Sequence, residues 1–263
     1  MFDIAKILQN IDEKKKKLDL LRPLPPELVK NLNEWFKVEL TYNSNAIEGN
    51  TLTKSETALV IEKGLTASGK PLKDLLEAIN LAFALDFIKN IISSTKEQIS
   101  LNVIFDIRRL ILKNIDDANA GKFRKIPVKI SGSDVKLPDP VKVPDLMENF
   151  INWLEYVKEH PIKIAADAHY KIVAIHPFND GNGRTARLVM NLILMKYSYV
   201  PAIIKKEDRQ ICIDSIRKAE LENDLSNFYE YIFSQVEKSL DIYLEAANKV
   251  ISKILSKFFH KLS

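Results

Sequence analysis

Cysteine is almost absent from this chain: Cys212 is the single thiol in 263 residues. One thiol excludes an intrachain disulfide framework and fits a reducing compartment. Its surroundings, RQICIDSIRKA, keep a helical pattern with no neighbouring histidine, which reads as packing rather than nucleophilic chemistry. Also missing is any apolar run approaching the roughly 18 residues that span a bilayer. The opening MFDIAKILQN has an early aspartate and no long apolar core, so it does not read as a signal peptide, and a cytoplasmic protein is expected. Internal repeats and low-complexity linkers are absent too. Neither sign of charge dominates: 39 Lys and Arg against 35 Asp and Glu leave a formal net charge of +4. The basic residues are scattered, which gives no footprint for nucleic acid. The one basic run, Lys14 to Lys17, falls at the end of a helical pattern and reads as a solvated face.

What is present is a composition of 46% hydrophobic and 28% charged residues, enough for a sizeable core in one large domain or two small ones. Ile4, Ile7, Leu8 and Ile11 recur at helical spacing, and RPLPPE must end that helix because proline removes a donor. Leu28, Leu32, Trp35, Phe36 and Leu40 mark the buried stripe of a second helix, with Gly49 as its stop. Thr53 and Glu56 form a capping box for a helix that Gly64 closes, and Pro71 opens another long one. The period changes once. In FRKIPVKISGSDVKL, Ile126, Val128 and Ile130 alternate with polar residues or proline, and Ser131 to Asp134 supply turn chemistry, which predicts a short β-hairpin with Pro127 on an exposed edge. The architecture expected is mainly α with one hairpin.

The stretch HPFNDGNGRTAR, His176 to Arg187, concentrates the chemistry. Pro177 drives His176 out of the α region, so the preceding helix breaks there and presents an imidazole from a loop. Phe178 anchors that loop in the core. Gly181 and Gly183 clear the space before the next helix, whose first amides are unpaired and suit an anion. Arg184 and Arg187 share a face near that end, where two cations oppose the helix dipole unless an anion is bound. Asp180 is a hard oxygen ligand for Mg²⁺ between phosphates, and His176 has the pKa of a general base. Asn182 read alone is an N-cap. The remaining histidines, His160, His169 and His260, lie near no cysteine, so a zinc site is not expected.

That stretch resembles the signature of Fic (filamentation induced by cAMP) domain proteins, and the resemblance extends from ELTYNSNAIEGNTLT through GKFRKIPVKISGS to ENDLSNFYEYI. It implies a helical fold with a β-hairpin flap and transfer of AMP from ATP to a Ser, Thr or Tyr hydroxyl of a target protein or of the chain itself, with release of pyrophosphate. On the implied roles, His176 is the catalytic base and Asp180 holds Mg²⁺. Gly181, Asn182 and Gly183 cradle phosphate, Arg184 and Arg187 bind the β- and γ-phosphates, and the flap around Ile130, Ser131, Gly132 and Ser133 covers the nucleotide. Gly183 stands where kinase-type members carry Lys. SNAIEGN resembles the family's inhibitory helix in its N-terminal class, with Ser44 and Glu48 as regulatory residues and Glu48 pairing with Arg187. Glu48 at a helix C-terminus opposes the dipole, so something outside the helix should hold it. One departure concerns the base: Ile213 and Leu221 stand where many members present Tyr and Asn.

The organisation expected is an N-terminal helical region over 1–95, a Fic core over 96–236, and an amphipathic helix over 237–263. In that last segment Leu244, Ala247, Ile251, Ile254 and Phe258 keep a 3,4 spacing. This reads as a packed or dimerising helix in preference to a membrane-surface one, which leaves a homo-oligomer open. The leading reading is an autoinhibited adenylyltransferase. Its rivals are a deadenylylase using Glu48 and a nucleotide-sensing module without transfer; neither nucleic acid nor membrane is an expected partner.

Overall fold

The structure is a computed structural model that describes residues 3–93, 98–129 and 136–262, the side chains of 253–262 excepted. Ten α-helices lie among the described residues: α1 Ile4–Leu20, α2 Pro26–Ile47, α3 Lys54–Lys63, α4 Leu72–Ser93, α5 Leu101–Leu112, α6 Val143–Tyr156, α7 Pro161–Ile175, α8 Asn182–Lys196, α9 Arg209–Glu222 and α10 Ser226–Leu262. None is long and apolar enough to cross a membrane.

The punctuation follows the local chemistry. Asp3 caps α1 by accepting from the Lys6 amide. Thr53 and Glu56 form a reciprocal capping box at α3, which Gly64 closes in the left-handed conformation. Gly49, at φ +95°, turns the chain after α2. Trp35 departs from expectation: it is 41% exposed, while Phe36 beside it is buried and packs on Tyr243 of α10.

At the centre is α8, buried from Arg184 to Leu194 on every side. It lies along α7 and is enclosed by α2, α4 and α5. One apolar core runs through these helices, including Phe36, Leu85, Ile107, Phe150, Ile172, Leu192 and Phe233. Each such side chain contributes about 1.5–3 kcal/mol on burial. This is what makes α8 a rigid platform for its own N-terminus.

Two expectations change. Lys14 is not merely solvated: its ammonium meets Glu237 at 2.9 Å and Asp241 at 2.7 Å, joining α1 to α10, while Lys16 and Lys17 are exposed. The amphipathic segment from 237 onward is the continuation of α10, whose Ala247 is buried against Leu28 and Leu32 of α2. The β-hairpin is not seen: among the described residues there is no strand, and Ile126–Lys129 and 136–139 are irregular. Ile130, Ser131, Gly132 and Ser133 lie outside the described residues. The physical reason is visible in the flanks. Pro127 has no amide to give a ladder. In place of cross-strand bonds, the Arg124 guanidinium donates to the Ile126 carbonyl at 3.2 Å and the Pro138 carbonyl at 2.5 Å, tying the two limbs through a side chain.

Candidate active site

His176 ends α7 in the left-handed conformation, φ 49° and ψ 59°, unusual for a residue with a side chain. Such strain persists where surrounding contacts enforce it. Here the His176 amide donates to Ile172 at 2.9 Å, and the Arg124 Nε donates to the His176 carbonyl at 2.8 Å. The Arg124 amide takes the next carbonyl, Pro177, at 2.9 Å. The imidazole Nδ1 is buried, and His176 is among the residues lining the cleft described below. Burial pushes the imidazole below the usual histidine range, and nearby Arg124 adds to this, offset in part by the Val173 backbone and the Glu48 and Asp180 carboxylates. At neutral pH the ring is therefore uncharged and able to accept a proton.

Phe178 is fully buried and stacks on Phe123 at 6.1 Å, anchoring the loop as expected. Asn182 is neither a free N-cap nor turned to the cleft by its amide group. Its side chain accepts from the Phe178 amide at 2.9 Å and donates to the Phe178 carbonyl at 2.8 Å, closing the loop on itself. Gly181, at φ +69°, is the N-cap of α8. The Asp180 carboxylate is half-exposed at the mouth, taking the Gly181 amide at 2.6 Å and lying 3.4 Å from Arg184.

The two arginines of the stretch are both engaged. Arg184 is 2% exposed and sits 2.9 Å from Glu77 of α4, whose other oxygen accepts from Asn50 at 2.9 Å. Arg187 donates through Nε to the Ser44 hydroxyl at 2.8 Å, and through Nη2 to the Ser44 carbonyl at 2.9 Å and the Glu48 carboxylate at 2.7 Å. Glu48 is thus the C-cap of α2 lying across the N-terminus of α8. A Cβ on Gly183 would stand 2.3 Å from Glu48 Oε1, so glycine is what lets the carboxylate approach the first turn of α8. The unfavourable charge at one helix end is held by the favourable field of another.

These groups line a cleft of about 500 Å³, with Glu48, His176, Asp180, Gly181 and Gly183 on it, and Lys129 and Arg209 as further cations. Arg209 donates to the Ile47 carbonyl at 3.0 Å, and the Lys206 amide donates to Asn43 at 3.1 Å, so the start of α9 docks the end of α2. Ile213 is half-buried and Leu221 is 70% exposed; neither is among the residues lining the cleft.

A sequence model of the Fic/DOC family matches residues 98–194. A Fic-domain-containing signaling protein from Bacteroides thetaiotaomicron, solved by crystallography, superposes with a TM-score of 0.84 at 30% identity, covering 92% of this chain and 98% of that one. The chain belongs to the Fic family. Fic-1 from C. elegans superposes with a TM-score of 0.86 at 30% identity, covering 94% of this chain and 73% of the other. Proteins named protein adenylyltransferase Fic from Aedes aegypti and Nematostella vectensis are 34% and 35% identical over 256 and 241 residues. Those matches cover 94% and 90% of this chain but 51% and 56% of theirs, so the chain spans about half the length of these curated relatives.

In this Fic protein, then, the structure brings His176, Asp180, Gly181, Asn182, Gly183, Arg184, Arg187, Ser44 and Glu48 together at one helix N-terminus. Three contributors escape a reading of the Fic motif alone: Arg124, Glu77 and Arg209. Arg124 stands in the quoted GKFRK segment, but nothing local signals that it clamps a turn 52 residues away.

Proposed function

We propose that the chain is a protein adenylyltransferase held in an inhibited state by its own α2. The observation that carries the reading is the Glu48 carboxylate, seated on Arg187 in front of Gly183, beside a neutral imidazole at the N-terminus of α8. A cleft that gathers a base, amide donors and arginines fits a nucleoside triphosphate and an attacking hydroxyl. The curated relatives named adenylyltransferases support the same class.

In this reading the triphosphate lies along the Gly181–Gly183 turn, where Asp180 holds the Gly181 amide and the Asn182 and Gly183 amides serve the phosphates. His176 Nε2 accepts the proton of a Ser, Thr or Tyr hydroxyl on the target protein as its oxygen bonds to the α-phosphorus. The bond from that phosphorus to the bridging oxygen breaks, and pyrophosphate leaves. No group of three or more His, Cys, Asp or Glu gathers into a metal cage among the described residues. That fits a cation held by one carboxylate and by phosphate oxygens, the usual habit of Mg²⁺. Asp180, half-exposed at the mouth, is the residue to hold it, and the bound ion would neutralise phosphate charge. Arg187, freed of Glu48, takes the γ-phosphate, with Arg184 towards the β-phosphate.

Inhibition follows from occupancy. Glu48 neutralises Arg187 and fills the space before Gly183, so a triphosphate cannot seat its last phosphate there. The test is intact mass after incubation with ATP and Mg²⁺ for the wild type, Glu48→Gly, and Glu48→Gly with His176→Ala. Gain of adenylyl mass by Glu48→Gly alone supports base, transfer and inhibition together. Equal gain in the double variant rejects His176 as the base.

A further inference from the structure

Arg108 of α5 is fully buried, and none of its three nitrogens has a hydrogen-bond partner. It makes no ion pair among the described residues. The guanidinium carbon lies 4.9 Å from the centre of the Phe178 ring, and Nη1 would stand 2.7 Å from a Cβ on Gly181. The side chain therefore lies directly against the loop that opens α8, and it is not among the residues lining the cleft. Burial lowers its pKa to about 10, with Asp180 the largest opposing influence, so it is charged at neutral pH.

A buried, unpaired cation is among the costliest groups a fold can hold. Stacking on Phe178 offsets part of that cost, and the half-exposed Asp180 carboxylate offsets another part. The other two arginines here already have carboxylate partners, Glu77 for Arg184 and Glu48 for Arg187. Arg124 spends its guanidinium on three carbonyls, and Arg108 is the cation at this loop left with no hydrogen-bond partner at all. Its guanidinium lies against Gly181, which itself lines the cleft, in surroundings where water screens little.

Resting on the adenylyltransferase reading, we propose that Arg108 is a positioning residue of the nucleotide site: it braces Phe178 and Gly181 from behind and supplies a fixed positive charge that bound polyphosphate offsets. A bracing role alone would affect every ligand of the cleft equally. A charge role scales with the number of phosphates.

The experiment is calorimetric titration of wild type, Arg108→Met and Arg108→Lys with ADP and with adenosine. ADP lacks the γ-phosphate that Glu48 excludes. The expected result is that Arg108→Met weakens ADP binding about tenfold more than adenosine binding, and that Arg108→Lys restores most of that difference. Unchanged ADP affinity in Arg108→Met, or equal loss for ADP and adenosine, overturns the inference. If Arg108→Met does not fold, Arg108→Lys decides: retention of the wild-type ADP-to-adenosine ratio supports the charge, and its collapse refutes it. Failure of the wild type to bind ADP is a different outcome, which removes the adenylyltransferase reading and this inference with it.

Discussion

Replacing Glu48 by Gln removes one charge and keeps the shape, so it isolates the electrostatic part of the proposed inhibitory contact. In the wild type the Arg187 Nη2 to Glu48 Oε1 distance is 2.7 Å, with side-chain exposures of 10% and 30%. A hydrogen bond between charged groups contributes about 1.5–3 kcal/mol when shielded. Glu48's exposure to water discounts that to about 1–2 kcal/mol. Arg187 keeps its two bonds to Ser44 in the variant, so α2 stays docked and only the carboxylate's hold is lost. At about 1.4 kcal/mol per factor of ten, the open population should rise roughly five- to thirtyfold. The assay is the initial rate of adenylyl incorporation from ATP and Mg²⁺, by intact mass, at equal protein concentration. Glu48→Gly should exceed Glu48→Gln, because it also clears the space before Gly183. An incorporation rate in Glu48→Gln within twofold of wild type, with ATP binding intact, would refute the claim that this ion pair sets the inhibited state.

Other consequences can be checked separately. In the Glu48→Gly background, His176→Ala should lower the rate at least a hundredfold, about 3 kcal/mol of lost transition-state stabilisation. In the same background the rate should stay high from pH 7 down past 6.5, since a lowered His176 pKa keeps the imidazole neutral there; an acid limb centred above 7 contradicts the burial argument. Arg124→Met strips the bonds that clamp His176, Ile126 and Pro138, and leaving those carbonyls unpaired should cost about 3 kcal/mol or more by urea titration, with a lower rate in whatever folds. His169 is buried as a neutral ring with its pKa pushed down to about 3, chiefly by desolvation. The unfolded chain takes up a proton below about pH 6.5 that the folded one refuses, so stability falls as pH drops by up to about 1.4 kcal/mol per unit. His169→Asn should flatten that part of the pH–stability curve, and a slope unchanged between pH 6 and 4 would show that other groups carry it.

Helix ends were the most legible feature, because the signals that set them are a few residues apart. Thr53 and Glu56 cap one another across three positions, and Gly49 turns where a left-handed residue is needed. The fold's centre follows for a related reason: LVMNLILM, directly after Arg187, is apolar nearly all round, and such a helix has nowhere to be but inside. The hairpin misled because alternation at Ile126 and Val128 is also compatible with the irregular backbone of Ile126–Lys129, whose first carbonyl is taken by Arg124. Trp35 misled because helical spacing assigns a face without saying how far the neighbouring helix reaches. The contact between Lys14 and α10 was invisible for the same reason: it joins positions 227 apart.

By itself, the sequence determined the local chemistry of the site. His176 before proline, two glycines clearing a helix start and Phe178 as an anchor are adjacent in the chain, and short-range sterics dictate their geometry. Only the tertiary structure decided what each charge meets. It carried Glu48 across 139 residues onto Arg187, placed Glu77 on Arg184, clamped His176 with Arg124, and left Arg108 buried and unpaired behind Gly181. The reason is physical: backbone preferences act over a few residues, whereas the partner of a charge is chosen by which helices the core brings side by side.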